Sequence, residues 1–138
     1  MSPRLVLDAE AMSALAGRPS KRQREVQAAL TAAFRLDRDV VIPAVVLAEL
    51  YRGRGHNQLV DACLSRETGI QVRDTDRTFA RFVGGVLAAA RAGSELIVDA
   101  HAVAAAVEAG AGVVLTADPD DLERLAAPFR NVQVVDIG

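Results

Sequence analysis

Four acidic residues stand where an apolar run of this sequence ends or a helix begins. Asp8 closes Leu5-Val6-Leu7, and Asp118 comes three positions after Leu115 of Val113-Val114-Leu115. Glu49 lies among apolar neighbours in Pro43-Ala-Val-Val-Leu-Ala-Glu-Leu-Tyr, shortly after Val40-Val41-Ile42. Asp99 precedes Ala102, Val103, Ala106 and Gly110, whose spacing marks one small, apolar helix face. Carboxylates gathered in one place repel, and some must take up protons unless a cation intervenes. A hard divalent ion, Mg²⁺ or Mn²⁺, relieves that repulsion with a few carboxylates plus waters and leaves positions open for phosphate oxygens. Such an ion lowers the pKa of a bound water and neutralises charge on a scissile phosphate. An acidic set without His or Cys ligands favours Mg²⁺ or Mn²⁺ over Zn²⁺. Each acid alone has a plainer use as a helix cap, a turn residue or a surface charge. The chemistry rests on their order and context.

Those acids need a scaffold that brings strand ends together. Leu5–Leu7, Val40–Ile42 and Val113–Leu115 read as buried parallel strands, with further strands expected at Ile70–Val72 and Val132–Ile137. Helices are expected over Ala9–Ala16, stopped by Gly17, and from the N-cap Ser20 to Leu36, with Val26, Leu30, Ala33 and Phe34 as its stripe. Pro43 suits the first turn of a helix Ala44–Arg52 that ends at Gly53 and Gly55, and another covers Gln58–Arg66. A cap at Asp74 or Thr75 opens a helix to Ala92, with Phe79, Phe82, Val83, Val86 and Leu87 facing inward and Gly84-Gly85 weakening its middle. After a loop at Gly93-Ser94, a helix Ala100–Ala109 is stopped by Gly110 and Gly112, and a last one spans Asp120–Ala126. This alternation predicts an α/β fold with helices on both faces of a mainly parallel sheet. Ligands of such sheets gather outside the carboxyl ends of the strands, so Asp8 and Asp118 can share one crevice.

The chain has 138 residues, enough for one domain, and its half-apolar composition allows a sizeable core of Val, Leu, Ile and Ala. A net charge of −2 identifies no partner. Between Arg18 and Arg54, however, eight basic residues face four acids. The single cysteine, Cys63, has no partner for an internal disulfide, which fits a reducing compartment. The start, MSPRLVLDAE, holds no signal-peptide apolar region, and no stretch has the ~18 apolar residues of a membrane helix. A soluble, cytoplasmic protein is expected.

In order and context the acids resemble the PIN-domain family. The pattern is an Asp closing the first strand, a Glu in a helix after the second, an Asp opening a later helix and an Asp after a following strand. Here these are Asp8 in LVLDAE, Glu49 in IPAVVLAELYRG, Asp99 in IVDAHAVAAA and Asp118 in VVLTADPDDL. The likeness runs from Leu5 to about Val135, so the whole chain, 1–138, is expected to be one PIN domain of three α/β/α layers. The resemblance implies a metal-dependent endoribonuclease in which Asp8, Glu49, Asp99 and Asp118 are catalytic, with Asp8, Asp99 and Asp118 holding Mg²⁺ or Mn²⁺. It implies that Thr116 supports the metal site by hydrogen bonding and that Asp121 adds an acid nearby. Small members are VapC-type toxins, so an RNA substrate, a VapB-type antitoxin and a homodimer are the implied partners. Ala9-Glu10 departs from the family, which often has Thr or Ser after the first Asp.

Other residues have modest claims. Arg52 and Arg54, beside Gly53 and Gly55, are candidates for RNA phosphates. Tyr51 offers a ring for base stacking but is expected partly buried. His56 and His101 lack ligand-spaced partners, and His101 is expected on a helix surface. Cys63 reads as a small core residue. Aspartyl-phosphate enzymes and receiver modules also use an Asp at a strand end, but they need a lysine at the phosphate. The only lysine, Lys21, lies in a polar stretch far from any strand end. No glycine-rich nucleotide motif occurs. The remaining alternative is a PIN-like interaction module without catalysis.

Overall fold

Strands that are apolar on both faces suit a parallel sheet covered by helices above and below. The computed structural model describes residues 3–138. Among them, five strands form one wholly parallel sheet: β1 (Arg4–Leu7), β2 (Val40–Pro43), β3 (Ile70–Arg73), β4 (Gly112–Thr116) and β5 (Val132–Asp136). The order is β3-β2-β1-β4-β5. Leu5 of β1 pairs with Val40 on one side and Val113 on the other. The chain steps outward from β1 to β3, then returns to lay β4 and β5 on the far side of β1. That reversal opens a crevice at the carboxyl ends of β1 and β4.

Seven α-helices connect the described strands: α1 (Ala9–Ala16), α2 (Lys21–Arg35), α3 (Ala44–Leu50), α4 (Arg54–Arg66), α5 (Arg77–Ala89), α6 (Ile97–Glu108) and α7 (Pro119–Ala126), with a 3-10 turn at Ser94–Leu96. Side-chain alternation along the strands divides the core in two. Leu5, Leu7, Val40, Ile42 and Leu115 pack with Met12, Leu15, Val26 and Leu30 of α1 and α2. Val6, Val41 and Val114 face the opposite way, onto Phe79, Val83, Val103, Leu122 and Leu125 of α5, α6 and α7. The result is the expected three-layer α/β/α arrangement. No helix among the described residues is long and apolar enough to cross a membrane.

α6 is the central helix of its layer. Every residue from Ala100 to Ala106 is buried, so the helix is enclosed around its whole girth rather than on one face. This overturns the expectation of a surface His101. Its ring is buried, its Nδ1 lies 2.6 Å from the Ile97 carbonyl oxygen, and it meets Phe79 edge-on at 5.7 Å. At the end of α6, Glu108 accepts from Arg4 Nη1 at 2.9 Å and from Arg73 Nη2 at 2.6 Å. Hydrogen bonds from Arg73, and then from Arg4, hold its carboxyl below the usual range. The Arg73 guanidinium also covers the Phe79 ring at 4.5 Å.

Several boundaries differ from the sequence expectation. Pro43 ends β2 and caps α3 instead of filling its first turn. α3 stops at Leu50, and Gly53, at φ 132°, starts α4 four residues early, so Gly55 lies inside a helix. Asp76 caps α5 through the Phe79 N–H, because its side chain reaches the N3 donor that Asp74 and Thr75 cannot. Phe34 and Phe82, placed in apolar stripes, are substantially exposed. Gly112 begins β4 rather than stopping α6.

Gly112 is where α6 lies tightest on the sheet. A Cβ there would sit 2.5 Å from the Ala106 Cβ, 2.9 Å from the Ala106 Cα and 3.0 Å from the Arg4 carbonyl oxygen. Two of these atoms are backbone and cannot yield by a rotamer change. Gly112→Ala is expected to destabilise the fold by about 1–3 kcal/mol, the usual cost of overpacking. An unchanged urea midpoint would show that α6 rides higher on the sheet than described.

Candidate active site

At the carboxyl ends of β1 and β4 a polar cavity of about 250 Å³ opens, and its acidic lining is Asp8, Glu10, Glu49, Glu95, Asp99 and Asp118. Local structure places each one. Asp8 follows β1 directly and caps α1, its Oδ1 accepting the Ala11 N–H at 2.8 Å. On α3, Val46 and Glu49 are one turn apart and both face the cavity. Glu95, Val98, Asp99 and Ala102 recur at offsets of three and four along the 3-10 turn and α6, so they form one wall. Asp118 precedes Pro119, the first residue of α7, yet its side chain makes no capping bond and stays free.

Thr116, the last residue of β4, is fully buried between two of these acids. Its hydroxyl oxygen accepts the Asp118 N–H at 2.9 Å, and its side chain hydrogen-bonds Asp8. Asp121 is exposed in the first turn of α7, outside the cavity lining, though its charge reaches Asp99. Arg52, on the turn after α3, and Arg54, the first residue of α4, are exposed and do not line the cavity. Tyr51 is half-buried and donates to Asp61 at 2.7 Å. Cys63 is buried, and burial pushes its thiol up.

Glu95 was not singled out from sequence, because it stands in what reads as a loop. A signal existed: it precedes Asp99 by four residues, one helical turn on the same face.

The electrostatics of the cavity are unbalanced. Burial pushes the Asp8 carboxyl up to about 6, against the opposing hydrogen bonds of Thr116 and Ala11, and the Glu10 charge adds to the rise. The Asp99 carboxyl also reaches about 6, first through burial, then through repulsion from Asp8, Asp121, Glu49 and Asp118. Among the described residues, the ion pairs all involve Arg4 or Arg73, and no cation pairs with a cavity acid. No three His, Cys, Asp or Glu side chains among these residues stand close enough to cage an ion unaided. The oxygen-only donors nevertheless fit a hard cation such as Mg²⁺, which takes one or two carboxylates and keeps several waters.

The PIN domain family model matches residues 5–128. No curated protein matches the chain. Among solved structures, a chain in the crystal structure of VapBC2 from Rickettsia felis, bound to a DNA fragment from their promoter, is similar with a TM-score of 0.63 at 14% identity, over 96% of this chain and 97% of that one. A chain in the crystal structure of DNA-bound VapBC from Salmonella typhimurium is similar with a TM-score of 0.63 at 16% identity, over 99% of this chain and 100% of that one. At these identities the likeness is one of fold.

Because the folded Asp8 and Asp99 carboxyls sit near 6 while their ordinary value is 3.8, the folded chain holds more protons than the unfolded one between about pH 4 and pH 6. These two groups therefore reduce stability progressively as pH rises through that window, and the penalty persists above it. Asp99→Asn removes its share, and Asp8→Asn does so while keeping an oxygen for the Ala11 N–H. Without divalent ions at pH 7.5, each variant is expected to melt a few degrees above the parent, at about 3 °C per kcal/mol. At pH 4 the differences should vanish. Equal melting of parent and variants at both pH values would mean that the penalty of burial and repulsion on these ionised carboxyls is absent.

Proposed function

This chain belongs to the PIN-domain family, and on that premise we propose that it is a divalent-metal-dependent endoribonuclease, the VapC-type toxin of a toxin–antitoxin pair. The observation that carries the reading is the uncompensated charge of the cavity. Glu108, elsewhere in the same chain, is met by two arginines, whereas Asp8, Glu49, Asp99 and Asp118 share a cleft in which no cation pairs with them among the described residues. A cation from outside would relieve this charge without protonating the acids, and oxygen donors favour a hard divalent ion. Asp8, Asp99 and Asp118 would hold it together with its waters, one or two carboxylates directly and the rest through bound water. When bound, Mg²⁺ or Mn²⁺ supplies a water of lowered pKa and charge neutralisation at a phosphodiester.

The chain's residues supply the rest. Thr116 orients Asp8 and the backbone of Asp118, fixing the two strand-end acids relative to each other. Glu49, exposed and lining the cleft, would accept a proton from an attacking water. Asp121 adds negative charge near Asp99, which strengthens the pull on a cation. Arg52 and Arg54, exposed beyond α3 and outside the cleft lining, would meet flanking RNA phosphates rather than the scissile one. The reading includes an action in the cytoplasm as one domain, a VapB-type antitoxin as inhibitor and a homodimer. The antitoxin is supported by family membership and by the fold shared with chains crystallised in VapBC, while the cytoplasm and the homodimer rest on the family resemblance alone.

The test is cleavage of labelled RNA by purified chain in Mn²⁺. Asp99→Asn is expected to lower the rate by about a hundredfold or more, since even outer-shell partners of a metal matter at 10- to 100-fold. Thr116→Val should cost about tenfold or more, with Thr116→Ser restoring most of it. If the parent binds Mn²⁺ and cuts no RNA, the PIN-like interaction module is the better reading. If Asp99→Asn cuts as fast as the parent, the assignment of the acids fails.

A further inference from the structure

We propose that the groove between α5, α6 and Phe129 docks an acidic, apolar helix of a partner protein. The groove has a volume of about 470 Å³, and Phe82, Gly85, Val86, Val107 and Phe129 line it with almost wholly apolar surface. Val107 lies eight residues along α6 from Asp99, about 12 Å away along the helix, so this surface is separate from the acidic cleft. The proposal does not depend on the nuclease reading.

Three observations point to a partner. First, Gly84 and Gly85 sit in the middle of α5, where glycine is a poor helix former. A Cβ built on either meets nothing within 4 Å, so nothing in the chain's own packing requires them. Their absent side chains leave a flat track on which a second backbone can approach closely. Second, Phe82 is 37% exposed beside this track, a large ring with no cover. Third, Arg81 forms the groove's rim, and a second, polar cleft lined by Arg77, Thr78 and Arg81 adjoins it. Neither Arg77 nor Arg81 forms an ion pair among the described residues.

The chemistry of the occupant follows. Its apolar side chains fill the groove, and carboxylates within a turn of them meet the two free guanidiniums. A second copy of this chain fits less well: residues 77–92 carry Arg77, Arg81 and Arg91 and no acid, so two such faces would oppose like charges. RNA fits less well too. The hydrogen-bonding edges of a base would find no partners on an apolar wall.

The experiment selects helical peptides from an unbiased display library on the full chain, with counter-selection on Gly85→Leu. That variant fills the track, and since the space is open and Leu is the better helix former it should melt no lower than the parent. Clones that bind the parent but not Gly85→Leu are expected to carry an apolar stripe with Asp or Glu within one turn. Their affinity should fall at least tenfold on Arg77→Glu/Arg81→Glu. Clones indifferent to Gly85→Leu, or stripes that are basic or uncharged, overturn the proposal. A parent that sediments as a dimer while Gly85→Leu is monomeric gives the face to a second copy. RNA that protects Phe82 and Arg81 from labelling gives it to nucleic acid. Either result also overturns the proposal.

Discussion

The contact between α6 and the sheet sets the position of everything else. A helix carried on Val and Leu side chains would stand off from the strands, whereas Ala106 lies directly against Gly112. Enclosed alanines from Ala100 to Ala106 let the axis come down close over β1 and β4. That approach brings the first turn of α6, with Asp99, over the carboxyl ends of the two strands that present Asp8 and Asp118. At the opposite end of α6, Glu108 tethers the helix to Arg4 of β1 and Arg73 of β3. The helix is thus held at one end by ion pairs and at its middle by close packing. Its other end is left to carry a charge into a crevice.

Much of this was readable in the sequence, because periodicity and strand-end position are local properties. The five strands, the caps Asp8 and Ser20 and the order of the four acids all follow from short-range patterns. The features that were not readable are tertiary. His101 reads as a surface residue on any helix whose stripe runs through Ala102 and Val103, and only the flanking α5 and α7 bury it. Glycine misled in two directions. Gly53 and Gly112 looked like stops, yet one starts α4 and the other yields space for Ala106. The cap of α5 fell on Asp76 rather than Asp74 or Thr75, since Arg73 extends β3 and pushes the helix start along the chain. Of the candidate site, the acids near the cavity were legible. Glu95 was not, because its role depends on a 3-10 turn that continues into α6.

The cavity is arranged against the interest of the fold. Holding a buried carboxyl near 6 instead of 3.8 corresponds to a penalty on its ionised form of roughly 3 kcal/mol, a sizeable share of the net stability of a domain this size. The fold tolerates the load because the scaffold around it is over-determined. Leu7 and Leu115, the neighbours of Asp8 on the paired strands, are buried in a continuous core, and Thr116 and Ala11 supply hydrogen bonds that offset part of the desolvation. Sites of this kind persist where function uses the unfavourable term.

Comparison within the chain sharpens this argument. Two buried or half-buried acids on α6 meet opposite electrostatic fates. Glu108 is drawn below its ordinary range by two arginines that fold with it, while Asp99 is pushed above its own first by burial and then by four acids that fold around it. Burial alone does not explain the contrast, since it opposes ionisation at both positions. Partner choice explains it. One end of the helix is electrostatically finished by the chain's own residues, and the other is left open. Fifteen of the sixteen cations are arginines, and none pairs with an acid of the cleft among the described residues. A chain that neutralises one acid so fully and leaves a cluster bare carries, at that cluster, a charge that none of its described ion pairs offsets.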